Sequence, residues 1–431
     1  MATEYKKYIP TLRFPEFQND GEWALTPIGK YYKVQGGFAF KSSEFKKSGI
    51  PIIRISNIPN DGIYIETNDS VYYDTIVNED YFLISRGDLL IAMSGATTGK
   101  TAIYNQDRKA YLNQRVGLFK SINSHNYYPF ICQWVKSNYF YAQLKRTLAA
   151  GAQPNISGKD IESFIWTYPN GNDSFAEQKK VADCLSSLDK YIEATKRKLD
   201  LLKEYKKGLM QRLFPAKGKT TPELRFPEFI GTKEWTPKQL GDIGETLGGL
   251  SGKSAEDFGT GKPFVTYKQV FNSSEIDSSE CALVQVSENE TQNKLQYGDV
   301  LVTMSSETPD EVGYTAVVTD KNTPECYLNS FCFIYRLFDN ESIDAKFLIY
   351  LFSSDVYRTA VVRIAQGITR FNISKTKFKE IELAIPENKN EQIKIAETLS
   401  SVDKQIEEYD KKIKALELHK KGLMQQLFPK L

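Results

Sequence analysis

The chain is written twice over, and an internal duplication decides architecture before any local pattern does. PTLRFPEF at Pro10–Phe17 returns as PELRFPEF at Pro222–Phe229, each followed by a Glu-Trp pair, Glu22-Trp23 and Glu234-Trp235. The 39-residue stretch from Glu177 to Pro215, ending KKGLMQRLFP, returns from Glu391 to Pro429, ending KKGLMQQLFP. Between these anchors the match is weak: GIPIIRISNI (Gly49–Ile58) faces GKPFVTYKQV (Gly261–Val270), and RGDLLIAMS (Arg86–Ser94) faces YGDVLVTMS (Tyr297–Ser305). YLN (from Tyr111 and Tyr327) and NIS (from Asn155 and Asn372) also recur there. At 431 residues the chain exceeds the ~100–200 of one ordinary domain. The expected organisation is therefore a variable globular part (1–173), a preserved segment (174–216), a second variable part (217–386) and a second preserved segment (387–431).

Both preserved segments carry apolar residues at alternating spacings of three and four, a heptad seam that asks for a partner helix. In the first, Leu185, Leu188, Ile192, Leu199, Leu202 and Leu209 form the seam; in the second, Leu399, Val402, Ile406, Ile413, Leu416 and Leu423 do. Each seam is interrupted by a lysine at the same height, Lys206 and Lys420. About 40 residues at ~1.5 Å rise make a rod of about 60 Å. Matching lengths and interruptions pair the two helices with each other. Antiparallel pairing is expected, because parallel pairing would crowd both globular parts at one end of the rod; the antiparallel form carries a pseudo-twofold axis.

The variable parts are expected to be mainly β with short helices, which makes the whole α+β. Runs such as IPIIRISNI, DLLIAMS and TAVVT are broken by Gly, Asn and Asp. Tyr127–Leu148 and Asp344–Val362 read as helical, and Ser157 with Asp160 reads as a capping box.

Catalytic motifs fail on inspection. Two histidines, His125 and His419, and five cysteines without a CxxC pair argue against zinc, disulfides and imidazole-activated nucleophiles, and there is no GxSxG. GATTGKT (Gly95–Thr101) has three residues between its glycines where a phosphate-binding GxxxxGK[ST] loop has four, and its counterpart in the second half lacks Gly-Lys; a hairpin turn is expected. Pro309-Asp310 with Asp344 and Lys346 imitates a nuclease pattern, but the first half lacks the counterparts of Asp344 and Lys346. No apolar run reaches the ~18–20 residues of a membrane span, and MATEYKKYIP has no signal-peptide core, so a cytoplasmic location is expected.

Signals for nucleic acid are more consistent. Arg54, Asn57, Lys100, Asn113, Arg115, Gln153 and Asn155 in the first half, and Lys268, Gln269, Arg370 and Asn372 in the second, sit in turn-rich segments. Arg reaches guanine with two hydrogen bonds, Asn and Gln reach adenine, and Lys contacts phosphate. The same residues also serve as turn caps and ordinary surface polarity. Net charge is only +2, so binding must come from local clustering, as in the basic excess from Lys190 to Lys219.

Taken together, the paired LRFPEF segments, the GDLLIAMS and GDVLVTMS strands, the Asn-Ile-Ser turns and the KKGLMQ helix ends resemble the specificity (S) subunit of type I restriction-modification systems over essentially the whole chain. That resemblance implies two tandem target-recognition domains, with the paired helices as a ruler between them. It implies a split DNA target and no catalysis by this chain. It also implies docking of two modification (methyltransferase) subunits, which carry S-adenosylmethionine and methylate adenine. Two restriction (motor and nuclease) subunits using ATP and Mg would complete the assembly, with no cofactor and no metal on this chain itself. Two rivals stand beside it: a DNA-metabolising enzyme using Lys100, or Asp310 with Asp344, and a structural coiled-coil scaffold without DNA specificity.

Overall fold

A computed structural model describes residues 8–59, 63–76, 79–122, 126–149 and 155–430. The chain divides into two compact units, Met1–Arg197 with Lys411–Leu431, and Lys198–Asp410.

In the first unit, one four-stranded antiparallel sheet has the order Tyr32–Gly36, Val116–Ser121, Leu89–Ala92, Thr101–Ile103. A second, mixed sheet has the order Val71–Tyr73, Ile50–Ile53, Ala110–Leu112, Leu83–Ile84, and Ala24–Pro27 pairs with Ile165–Tyr168 as a separate ribbon. The unbroken apolar run Leu89–Ala92 has two cores to fill. Successive side chains on a strand point to opposite faces, so Leu89 and Ile91 enter a core with Trp23, Phe130 and Trp166, while Leu90 and Ala92 enter another with Ile53 and Leu112. The second unit repeats the plan: Val300 and Val302 face Trp235 and Phe347, and Leu301 faces Val265 and Leu328. The stretches expected to be helical are pairs of helices, Tyr128–Trp134 with Asn138–Ala149 and Ala345–Leu351 with Asp355–Ile364. The Ser137 and Ser354 hydroxyls accept the N–H groups of Phe140 and Tyr357 and start the second helix of each pair.

The preserved segments are unbroken helices, Ser174–Leu213 and Lys389–Leu427. They are shorter than 174–216 and 387–431, because proline disfavours helical backbone in the residue before it and each segment closes in Phe-Pro. Among the described residues no helix is long and apolar enough to cross a membrane.

The helices pair antiparallel within each unit. In the first unit Lys196 meets Glu417 and Asp189 meets Lys420; in the second Lys206 meets Asp403. All twelve seam residues expected from the heptads are buried or half-buried. The two lysine interruptions thus have carboxylate partners, and the partners are themselves equivalent positions of the repeat. Asp189 also accepts hydrogen bonds from Gln133 and Lys136. Burial opposes its charge, but Lys136 and Lys420 outweigh this and hold its carboxyl below the ordinary range. Burial, reinforced by Lys136, pulls Lys420 down to about 8. The unfolded chain therefore binds more protons than the folded one between pH ~8 and the ordinary lysine value, so this group's contribution to stability rises with pH across that window. Replacing Asp189 alone by alanine leaves the Lys136 and Lys420 ammonium groups without their shared carboxylate and is expected to cost about 3–5 kcal/mol. The double replacement D189L/K420M should recover only part of that loss, because Gln133 and Lys136 still lose their acceptor; the triple replacement K136M/D189L/K420M should recover more, all read from urea midpoints.

The start of each long helix is gripped the same way. Glu177, 1% exposed, accepts both the Nε and one Nη of Arg13, at 2.7 and 2.8 Å, and the indole N–H of Trp23 at 3.2 Å. Glu391 does so with Arg225 and Trp235. One residue on, the Gln178 and Gln392 carbonyls accept the N–H groups of Tyr127 and Asp344 at the entry to the first short helix. LRFPEF, Glu-Trp and the Glu-Gln of each helix are therefore one physical unit, which accounts for their recurring together.

Candidate nucleic-acid interface

Parallel pairing decides where the variable loops emerge. In the first unit Ile50–Ile53 runs parallel to Ala110–Leu112, so both strands exit at the same end and deliver Arg54 beside Asn113. The Asn113 N–H donates to the Ile53 carbonyl at 3.1 Å, Met93 N–H to Arg115 carbonyl at 2.9 Å, and Ile156 N–H to Met93 carbonyl at 3.0 Å. Gly95–Lys100 folds over this end: Thr98 N–H donates to Gly95 carbonyl, Gly99 N–H to Ala92 carbonyl, and the Thr97 hydroxyl to Ile55 carbonyl. It is the turn of a hairpin between Leu89–Ala92 and Thr101–Ile103. Gly95 and Gly99 have φ of 80° and 85°, a backbone that favours glycine.

The second unit brings the same four segments together. Phe258–Val265 runs parallel to Tyr327–Leu328, Asn329 N–H donates to Val265 carbonyl at 2.9 Å, Met304 N–H to Phe331 carbonyl at 3.0 Å, and Ile373 N–H to Met304 carbonyl at 3.0 Å. Ser305–Ser306 pairs with Phe371–Asn372, and Arg358 holds the following turn by the carbonyls of Asp310, Val312 and Gly313.

The residues expected from sequence sort by what this geometry leaves them. Arg115, Asn155, Lys268, Arg370 and Asn372 are exposed, and Arg54, Lys100 and Asn113 are half-buried at the same loop ends. Asn57 is 3% exposed and spends its amide internally: its oxygen accepts the Arg54 N–H and its nitrogen donates to the Glu66 carbonyl. Gln269 is its counterpart, closing a capping box on Thr266. Asn57 thus shapes the turn from behind, while Gln269, half-buried, commits its amide oxygen to the cap. Gln153 lies outside the described residues. Ser157 and Asp160 form the expected capping box, and hydrogen bonds from the Ser157 hydroxyl and N–H hold the Asp160 carboxyl below its ordinary range. Asp310 stands on the turn held by Arg358, whereas Asp344 caps the helix Ala345–Leu351.

Sequence reasoning missed Asn329, Phe331 and Ile368 at this end. The YLN repeat carried the signal for the first two, since Asn329 and Phe331 stand where the first half has Asn113 and Arg115. Ile368, 95% exposed, stands in the strand-closed loop between Gln366 and Asn372.

Comparison with known proteins follows this duplicated geometry. The family model described as the type I restriction modification DNA specificity domain matches twice, at residues 21–204 and 232–418. The chain belongs to that specificity-subunit family. The Type I restriction enzyme EcoBI specificity subunit of Escherichia coli is 23% identical over 412 residues, covering 89% of this chain and 81% of its own. The MjaVIII specificity subunit of Methanocaldococcus jannaschii is 26% identical over 200 residues, and the match spans 46% of either chain. Among solved structures, the type I S subunit from M. genitalium superposes with a TM-score of 0.58 at 16% identity, over 98% of this chain and 99% of that one. At that identity the likeness is one of fold. This specificity-family chain therefore has two DNA-recognition domains, each followed by a long helix.

Proposed function

We propose that this chain reads a split, asymmetric duplex target, one half-site per recognition domain, within a type I restriction-modification complex. The observation that carries this reading is the convergence of the same four loop segments at one sheet end in both units, with different side chains on them. Where the first unit presents Gly95–Lys100 and Arg115, the second presents the acidic turn Glu307–Glu311 and Phe331. Unlike surfaces on a shared frame select unlike half-sites, spaced on the order of one helical turn (~34 Å) as for paired modules on B-DNA.

In this reading the chain catalyses nothing. Its helices dock two modification subunits, which carry S-adenosylmethionine and methylate adenine, and restriction subunits carrying ATP and Mg complete the assembly in the cytoplasm. Arg54, Lys100, Arg115, Lys268 and Arg370 would supply phosphate or guanine contacts, and Asn113, Asn155 and Asn372 base or backbone contacts. Salt-dependent affinity scales with the number of phosphates neutralised. At net +2 the isolated chain should bind DNA weakly and depend on the modification subunits to close around the duplex.

The test is methylation mapping. Co-expression with the cognate modification subunit is expected to place methyladenine within one bipartite, non-palindromic motif, and exchanging residues 1–173 for another recognition domain should alter one half only. Absence of both methylation and a complex would sink the reading and favour the structural scaffold.

A further inference from the structure

The two units differ at the outer edge of their two-stranded ribbons. In the first, Pro27 pairs with Ile165; proline has no N–H to give, so this is a non-hydrogen-bonded pair and Ile165 turns its own N–H and carbonyl outward. The Gln143 side chain meets both: its carbonyl accepts the Ile165 N–H at 2.8 Å and its amide donates to the Ile165 carbonyl at 2.7 Å. One side-chain amide thus imitates a neighbouring strand and covers the edge.

In the second unit Pro237 pairs with Ala384, which by the same parity turns Ala384 and, two residues earlier, Glu382 outward. The counterpart of Gln143 on the facing helix is Ala360, too short to reach. Between helix and strand lies a groove of about 410 Å³, lined by Phe214, Ala360 and Glu382–Ala384, where the cations Lys217, Lys219 and Arg363 outnumber the one acid unpaired among the described residues, Glu382. Lys217, Lys219 and Arg363 enter no ion pair among the described residues, while Lys377, also at the rim, is paired with Glu380. An uncovered strand edge is a template for another strand, and native proteins ordinarily cover it.

We propose that this groove receives an extended, acidic polypeptide segment of a partner protein, which adds as a third strand to Glu382–Ile385. The inference does not depend on how the chain reads DNA. Backbone hydrogen bonds to Glu382 and Ala384 supply affinity. Alternation of side chains along the added strand sends apolar residues onto Phe214 and acidic ones toward Lys217, Lys219 and Arg363.

The probe is a seven-residue peptide of alternating aspartate and valine, blocked at both ends, titrated onto the full chain by fluorescence anisotropy, with hydrogen exchange of the Glu382 and Ala384 amides as second readout. Saturable binding with protection of those amides is expected. Ala360→Gln, which installs the amide that covers the first unit's edge, should weaken binding by about tenfold or more, as loss of a pair of backbone hydrogen bonds would. Its fold is checked by circular dichroism, since glutamine already occupies the equivalent helix position. A peptide N-methylated at alternate residues should lose binding, and R363E/K219E should weaken the acidic peptide while favouring one with lysine in place of aspartate. The proposal is overturned if no saturable binding occurs, if A360Q binds as tightly as the parent chain, or if protection falls elsewhere.

Discussion

Replacing Arg13 by alanine is expected to lower the stability of the first unit by about 3–5 kcal/mol, the range for removing one partner of a buried ion pair. The side chains of Arg13 and Glu177 are 7% and 2% exposed, and the guanidinium meets both carboxylate oxygens while its other nitrogen donates to the Asp20 and Gly21 carbonyls. Alanine would leave a buried carboxylate with the Trp23 indole as its one remaining side-chain partner among the described residues. R13K should recover little, because an ammonium cannot reproduce the two parallel hydrogen bonds of the fork. Urea unfolding followed by tryptophan fluorescence reads the loss, and R225A should do the same to the second unit through Glu391. A loss below about 1 kcal/mol in either would put these pairs in the class of exposed surface bridges and remove them as the reason the flanking motifs recur.

What could be read in the sequence and what could not divide along a physical line. The repeat, the heptads and the Gly95–Thr101 turn are local patterns in which period or glycine spacing directly encodes geometry, and each is found as expected. Lys206 and Lys420 read only as interruptions, because their partners Asp403 and Asp189 arrive from about 200 residues away and no local rule joins them. Asn57 reads as a base contact because capping a turn and contacting a base edge use the same amide donors and acceptors; its burial separates the two uses, whereas half-buried Gln269 is marked only by the cap it closes. The Gln143-to-Ala360 difference is invisible as chemistry in one dimension. It acquires meaning once Pro27 and Pro237 fix which backbone groups of the facing strand point outward.

The seam also predicts that the first half alone, residues 1–216, forms a homodimer. In the intact chain the first recognition domain packs against the second helix through Met424, Leu427 and Phe428. The first helix carries the same residues at the equivalent heights, Met210, Leu213 and Phe214, within KKGLMQRLFP. Two copies of the half-chain can therefore each offer their own helix end to the other's recognition domain. Asp189 pairs with Lys420, whose repeat equivalent is Lys206, so antiparallel self-pairing sets Asp189 of one copy against Lys206 of the other, twice per dimer. Light scattering after gel filtration is expected to give twice the half-chain mass. Lys206→Asp places like charges across both contacts and should shift the sample to monomer, whereas the charge exchange D189K/K206D should restore the dimer. A wild-type half-chain that stays monomeric at tens of micromolar would mean that the seam's ion pairs follow the duplication of the sequence without carrying pairing specificity. A dimer indifferent to K206D would place that specificity in the apolar heptads alone.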